Sequence, residues 1–190
     1  MTGFFQTFDD IFETIEDAIE KGRPIPSLIL LYSAIDSFST LANLKSTGDR
    51  NTFVKWVKKW MIDRSQLSCS AMDVYSARCA LLHQQTSKSD LTKKGEAKEV
   101  LYAWGNMKTE ALQTAINQIG KSELAVVVKI EDLLTAFRKG MADSFDEIQE
   151  DVVKSKKFNE EAKKMFVLIH PSLPQKLVIT SDAHKQGYPH

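Results

Sequence analysis

Apolar side chains in the first twenty residues recur at spacings of three and four, which places them on one face of a helix. We therefore predict an amphipathic helix over residues 4–21, ended by Gly22, Pro24 and Pro26. The next stretch, to about residue 44, is apolar around most of its circumference, so it is predicted as a central helix capped by Ser27. The apolar positions of the first helix are Phe5, Phe8, Ile11, Phe12, Ile15 and Ile19.

The same spacing predicts further helices along the chain. Residues 51–61 form a third helix with lysines on its outer side, and residues 71–85 form a fourth, which Ser70 can cap. Residues 109–119 are predicted as a helix ended by Gly120, residues 131–156 as one long helix, and residues 158–169 as a short final helix. The polar stretches 63–68 and 86–95 are predicted as connections.

Two short runs are rich in residues that favour strands, namely residues 100–104 and 125–130. The pairing direction stays open, and the second run is also compatible with the start of a helix. We favour a mainly α protein, a helical bundle with a small two-stranded β element in its C-terminal half. Residues 1–170 are predicted as one helical domain, with a core at 1–90, a helical extension at 95–170 and a flexible tail at 171–190.

Charge is balanced overall but uneven along the chain. The 25 basic and 25 acidic residues cancel, whereas a wholly electrostatic nucleic-acid binder is usually basic. Residues 45–64 carry a net +4, and residues 131–151 carry a net −5. This asymmetry is compatible with two solvated helix faces, or with a basic wall beside the candidate site described next.

Arg78 and His83 are the most suggestive pair for chemistry. A guanidinium matches the oxygens of a phosphate, and an imidazole exchanges protons near neutrality. Five positions apart on a straight α-helix, their directions differ by about 140°. They converge only if the helix ends or bends near His83, or if two copies meet across a twofold axis.

A purely structural role for these residues is the alternative. Arg78 could pair with Asp36, a carboxylate on the predicted central helix, or with Asp73 inside the bundle. His83 could stabilise the end of its helix, where an imidazolium is favoured. Likewise, the tryptophans at helical spacing are better explained as core than as platforms for stacking bases.

Other chemistries find less support in the sequence. The four histidines lack the spacing of metal ligands, and the glycines form no phosphate-binding loop, so no metal or other cofactor is expected. Cys69 and Cys79 are ten positions apart, which corresponds to about 15 Å along a helix and is too far to bridge, and this favours free thiols and a cytoplasmic location. We see neither a signal peptide nor an apolar run near 18 residues, so no membrane association is expected.

Arg78, four intervening residues and His83 together resemble the Arg–(four to six residues)–His signature of the HEPN superfamily (higher eukaryotes and prokaryotes nucleotide-binding). The resemblance covers residues 4–85, including the segment from Leu31 to Asp36, where family members often carry an acidic residue. The family's domains are helical bundles, often dimeric, and many are metal-independent RNases. Active members usually have Asn, Asp or His directly after the arginine, where this chain has Cys79.

The resemblance implies RNA cleavage through attack of a 2′-hydroxyl on the neighbouring phosphate. A role as a toxin or an antiviral defence effector is also implied. His83 would exchange protons, Arg78 would hold the phosphate and Asp36 would orient them. It also implies a homodimer and an antitoxin or defence-system partner protein. The residues expected to contact RNA are Tyr75, Lys55, Lys58 and Lys59. The alternative, favoured by Cys79 and the neutral net charge, is a non-catalytic dimeric scaffold or an RNA- or nucleotide-binding module.

Overall fold

A computed structural model describes residues 2–44, 49–84 and 86–165 of the chain. Within them the protein is mainly helical with one small sheet, as predicted. The elements in chain order are α1 (Thr2–Glu20), α2 (Pro24–Ala42), α3 (Arg50–Trp60), α4 (Ala71–Cys79), α5 (Asp90–Lys93), β1 (Glu99–Ala103), α6 (Thr109–Gln118), β2 (Ala125–Lys129), α7 (Ile130–Gln149) and α8 (Val152–Ala162). A short 3₁₀ turn, Ile62–Arg64, follows α3, and a π-helical turn, Ala80–Gln84, continues α4.

The centre of the bundle is a set of packed aromatic rings, here called the aromatic core. Its members come from α1, α2, α3, α7 and α8, and their ring centroids lie 5.0 to 6.4 Å apart, mostly tilted or edge to face. Because the rings from both halves of the chain meet here, the two predicted parts share one core. The aromatic core consists of Phe4, Phe8, Phe12, Phe38, Trp56, Phe137 and Phe158.

The first two helices are separated at the predicted place, but α2 begins earlier than expected. Gly22 adopts a φ of +65°, which a residue without Cβ adopts readily, and Pro24 occupies the first turn of α2. The prediction that Ser27 caps this helix is wrong. Ser27 lies inside α2, where its hydroxyl donates to the carbonyl of Arg23. The helix starts at proline and has no side-chain cap.

The two strands pair in parallel, which settles the direction that the sequence left open. Glu99 lies opposite Ala125 and Ala103 opposite Lys129, with α6 as the crossover between them. One face of the sheet, including Val100 and Val128, joins the main core. The other face packs Ala103 and its neighbours in β2 against α6.

The prediction of one long helix over residues 131–156 is wrong. The chain forms α7 and α8 instead, and the Asp151 side chain accepts hydrogen bonds from the amides of Val153 and Lys154 to start the second helix. The apolar spacing continues across Asp151, although aspartate favours a cap position. The predicted helix 158–169 begins instead inside α8, and its residues 166–169 lie outside the described part, as does the tail 171–190. The predicted connection 86–95 contains α5.

Helices α3 and α7 approach each other closely at Gly140. A Cβ added there would lie 2.7 Å from the carbonyl oxygen of Trp60, so only glycine fits without a shift of backbone. This approach brings α7, which covers most of the acidic segment 131–151, beside α3, which lies in the basic segment 45–64. Lys59 of α3 binds Glu147, and Arg64 binds Asp143.

By its length and composition alone, helix α2 could cross a membrane. The pattern of apolar residues in the sequence did not predict such a span. Half of that span is buried against other parts of the protein, and the core helix of a soluble protein meets the same criteria. Tyr32 and Phe38, both fully buried, show how α2 packs at the centre of the bundle.

Candidate functional site

Helix α4 carries the candidate site and is firmly held at its start. The Ser70 side chain accepts from the amide of Asp73, and the Asp73 carboxylate accepts from the amide of Ser70, which completes a capping box. The second oxygen of Asp73 accepts from the amide of Lys98 at 2.6 Å. Asp73 is therefore already bonded to backbone, which leaves Asp36 as the carboxylate that pairs with Arg78.

The end of α4 widens into the π-helical turn Ala80–Gln84, and this turn explains how Arg78 meets His83. A π turn closes its hydrogen bonds over five residues, so residues five apart lie on nearly the same side. The two side chains that a straight α-helix would separate thus converge within one chain. Of the two routes left open by the sequence, the structure shows the local one.

Arg78 contacts both Asp36 and His83, and these three side chains are here called the Arg78 cluster. Its Nη2 donates to Oδ2 of Asp36 at 2.6 Å, and its Nη1 lies 3.0 Å from Nε2 of His83. The Nε of Arg78 is buried and bonds to no partner among the described residues. Its Nη1 also donates to Sγ of Cys79 at 3.9 Å, so the guanidinium bonds to Asp36, His83 and Cys79 while Nε keeps an unused donor that solvent does not reach.

His83 is exposed, whereas the Arg78 side chain is only 17% exposed. A guanidinium only donates hydrogen bonds, so Nε2 of His83 acts as the acceptor in this arrangement. An exposed imidazole beside a fixed cation can accept a proton from an incoming hydroxyl once Arg78 releases its Nε2.

The charge of Arg78 is secured by its surroundings. Burial disfavours the charged form, but the hydrogen bond and the negative charge of Asp36 outweigh it and raise the pKa of Arg78. Asp36, which α2 holds opposite α4, remains 31% exposed. The guanidinium thus stays charged, and the ion pair is accessible from the side of Asp36 and His83.

A cleft of about 320 Å³ adjoins the Arg78 cluster at Asp36. Its other walls come from α2 and from the end of α8, where Glu161 and Lys164 form an ion pair of 2.7 Å. The sequence did not indicate these two residues. Asp151 is the signal in the sequence for this turn. Aspartate has a strong tendency to cap a helix, so it indicates that the long predicted helix ends there and that the chain turns back.

Tyr75 lies one turn before Cys79 on α4 and is partly buried. Burial, followed by interaction with the Cys79 thiol, raises the pKa of Tyr75. Its ring packs edge to face on Phe53, with centroids 5.5 Å apart. Tyr75 is thus anchored on α3 and reaches the residue that follows Arg78.

The three lysines expected to contact RNA lie on α3, and two of them have carboxylate partners. Lys58 binds Asp63 at 2.7 Å, and Lys59 binds Glu147 while covering the ring of Trp60 at 4.2 Å. Lys55 is exposed. The structure brings Asp36, Arg78 and His83 together, but it directs the bonds of Lys58 and Lys59 toward acidic neighbours.

Comparison of the chain with protein-family models, with curated proteins and with solved structures finds no match. In the described part of the chain, no group of three or more His, Cys, Asp or Glu side chains is arranged to hold a metal ion.

Proposed function

We propose that this protein is a metal-independent endoribonuclease of the HEPN type. The observation that carries the proposal is the Arg78 cluster, in which an exposed imidazole and a buried, charge-stabilised guanidinium lie 3.0 Å apart. Chain cleavage of RNA needs a group that removes the 2′-proton and a cation that holds the phosphate, and the cluster offers both.

The proposed reaction uses the 2′-hydroxyl of RNA as the nucleophile. Nε2 of His83 is released as the Arg78 guanidinium turns to the phosphate and then accepts the 2′-proton, and the 2′-oxygen attacks the adjacent phosphorus. The bond to the 5′-oxygen breaks, and that oxygen takes a proton from water, which gives a 2′,3′-cyclic phosphate and a 5′-hydroxyl. Arg78 donates to the phosphate oxygens on which charge develops, and Asp36 keeps the guanidinium oriented.

We further propose that the active form is a homodimer in the cytoplasm that acts as a toxin or an antiviral defence effector. An antitoxin or defence-system protein would then be its partner. Tyr75 and Lys55 are the proposed contacts to RNA outside the cluster. Lys58 and Lys59 contribute only if the RNA displaces their carboxylate partners.

The decisive experiment is cleavage of end-labelled single-stranded RNA in the presence of a chelator. We expect the wild type to cut and to leave cyclic-phosphate ends, and His83→Ala and Arg78→Ala to lose at least a hundredfold in rate. Ser87→Ala, an exposed change just beyond the π turn, is the matched control and should retain full activity. Equal rates for the wild type and His83→Ala would refute the proposal.

The second candidate function is a non-catalytic scaffold or nucleotide-binding module. It is favoured by the Arg78–Asp36 ion pair, which is complete without substrate, and by Cys79 beside it. This function predicts no cleavage by the wild type. It also predicts that Arg78→Ala weakens dimerisation or RNA binding in light-scattering and gel-shift measurements, whereas His83→Ala changes RNA binding little.

A further inference from the structure

The two edges of the small sheet differ in how their backbone groups are satisfied. The amide of Glu99 donates to Leu124, so in the parallel register Glu99, Leu101 and Ala103 face β2. The amides and carbonyls of Val100 and Tyr102 therefore point to the opposite edge. Among the described residues, nothing bonds to these four groups.

The outer edge of β2 is closed by contrast. The amide of Val127 points away from β1 and donates to the side-chain oxygen of Gln113 on α6. A helix side chain thus occupies the edge where a further strand could pair. The sheet leaves β1 as the edge where another strand can be added.

An apolar groove of about 440 Å³ runs along the open edge of β1. Its walls are α2, the end of α4 and β1 itself. Leu101 is 36% exposed and Ile25 is 55% exposed, although both are large and apolar. Unpaired backbone groups beside apolar side chains are what an added strand binds, through main-chain hydrogen bonds and alternate side-chain pockets. The principal apolar contacts offered are Ile25, Ile29, Ala77, Leu81 and Leu101.

We propose that residues 176–180 of the same chain, Lys-Leu-Val-Ile-Thr, add to β1 as a third strand. This segment has five residues, the same length as β1. In a strand, Leu177 and Ile179 share one face while Val178 lies on the other. Leu177 and Ile179 then fill the groove between α2 and the end of α4, and Val178 lies beside Leu101.

The chain is long enough to make this connection. Met165, the last described residue, lines the cleft beside Thr40 of α2. Thr40 and Ile25, at the groove, are separated by about 22 Å along the helix. The ten residues 166–175 can span about 33 Å when extended, so the segment reaches β1 without moving α8.

The docked strand would also support the candidate site. Ala77 and Leu81 of the groove flank Arg78 in sequence, and Leu81 belongs to the π-helical turn. The strand would therefore pack against the outside of the turn that holds His83. The inference stands on the sheet edge and the groove, and it does not depend on RNA cleavage.

Hydrogen exchange of single amides in the full-length chain, read by NMR, tests the proposal. The amides of Val100 and Tyr102 should exchange slowly in the wild type. Val178→Pro, which breaks the added strand, and Ile179→Asp, which puts a charge in the groove, should speed that exchange by about tenfold or more. Ala183→Pro, outside the segment, is the matched control and should leave it unchanged. Amides in α7 report that every variant is folded.

Equal exchange of Val100 and Tyr102 in the wild type and in both strand variants would overturn the proposal. Protection that depends on protein concentration would overturn it as well, because a second copy would then occupy the edge. Protection that is independent of concentration and lost in both strand variants, but kept in Ala183→Pro, would establish the strand within one chain.

Discussion

The aromatic core and the Arg78 cluster contribute to the protein in opposite ways. Each ring of the core contacts several others and is sealed from water, so the loss of one contact leaves the rest in place. The cluster has few bonds, one unpartnered donor and a side chain in solvent, and it sits on a widened helix. Stability is thus concentrated in the first region, and the proposed chemistry is placed in the second.

The largest effect on stability should come from Phe137→Ala in the aromatic core. Phe137 is fully buried and packs on rings from α1, α2 and α3, so we expect a loss of about 4 kcal/mol in the free energy of unfolding. Phe145→Ala, at a partly buried position on the same helix, should cost about half as much. Urea denaturation measures both, and equal small losses would contradict the comparison.

A smaller loss is expected when the cluster loses its carboxylate. Asp36→Ala leaves the guanidinium of Arg78 buried and unpaired, which should cost about 2 kcal/mol, less than a fully buried pair because Asp36 is partly exposed. Asp36→Asn keeps a hydrogen-bond acceptor and should cost less. The free energies of unfolding of the two variants check this, and an unchanged Asp36→Ala would show that the pair contributes nothing.

Alkaline pH should lower the free energy of unfolding through a buried thiol of the core before it affects the Arg78 cluster. Burial, followed by the charge of Asp73, raises the pKa of Cys69 from 9.0 to about 12, so the folded state keeps a proton that the unfolded state has lost. The stability from this proton is full below pH 9 and is lost progressively up to pH 12. We expect about 2 kcal/mol of loss between pH 8 and 10.5 from this group.

The buried hydroxyls of Tyr32 and Tyr102, 2.5 Å apart and with raised pKa values, add to the alkaline loss above pH 10. Cys69→Ala isolates the contribution of the thiol, since its unfolding free energy should fall less steeply with pH. The Arg78–Asp36 pair should not contribute, because the raised pKa of Arg78 keeps it charged. An identical pH slope in Cys69→Ala and the wild type would contradict the assignment.

Gly140→Ala probes the close approach of α3 and α7 and should cost about 1 kcal/mol. The added Cβ would press on the backbone of Trp60, and the better helix propensity of alanine offsets only part of the strain. Thermal unfolding measures the change. Lys139→Ala, exposed on the same helix, is the control and should be nearly neutral.

The smallest effect on stability should come from His83→Ala, which would also test the comparison most sharply. His83 is exposed and makes one hydrogen bond, so the free energy of unfolding should change by less than about 0.5 kcal/mol. RNA cleavage should nevertheless be lost. Joint measurement of denaturation and cleavage checks this, and a large loss of stability would make His83 a structural residue.

Much of the fold could be predicted because local signals and packing agree. Spacing of apolar residues located α1 and α3 closely, and Ser70 was predicted as the cap that the structure shows. The strands were found from their β-branched residues, but their direction depends on the crossover through α6, which no local pattern specifies. Asp151 was overlooked because the apolar spacing continues across the break.

The candidate site was predicted less completely. Asp36, Arg78 and His83 were named from their types and positions, yet their convergence requires the π-helical turn. Helical periodicity assumes 3.6 residues per turn and is blind to a single widened turn. The ion pairs of Lys58 and Lys59 were also invisible, since they depend on folded neighbours rather than on the charge of α3 alone.

The pairing of α3 with α7 has a consequence for how a polyanion would approach this molecule. Lys59 and Arg64 are matched by Glu147 and Asp143, so their fields largely cancel beyond a Debye length of about 8 Å. An RNA strand would release few counterions on docking there, and its affinity would fall only gently as salt is added. Long-range electrostatic attraction would thus contribute little to bringing RNA to this face. Binding would depend on short-range contacts at the entrance of the site.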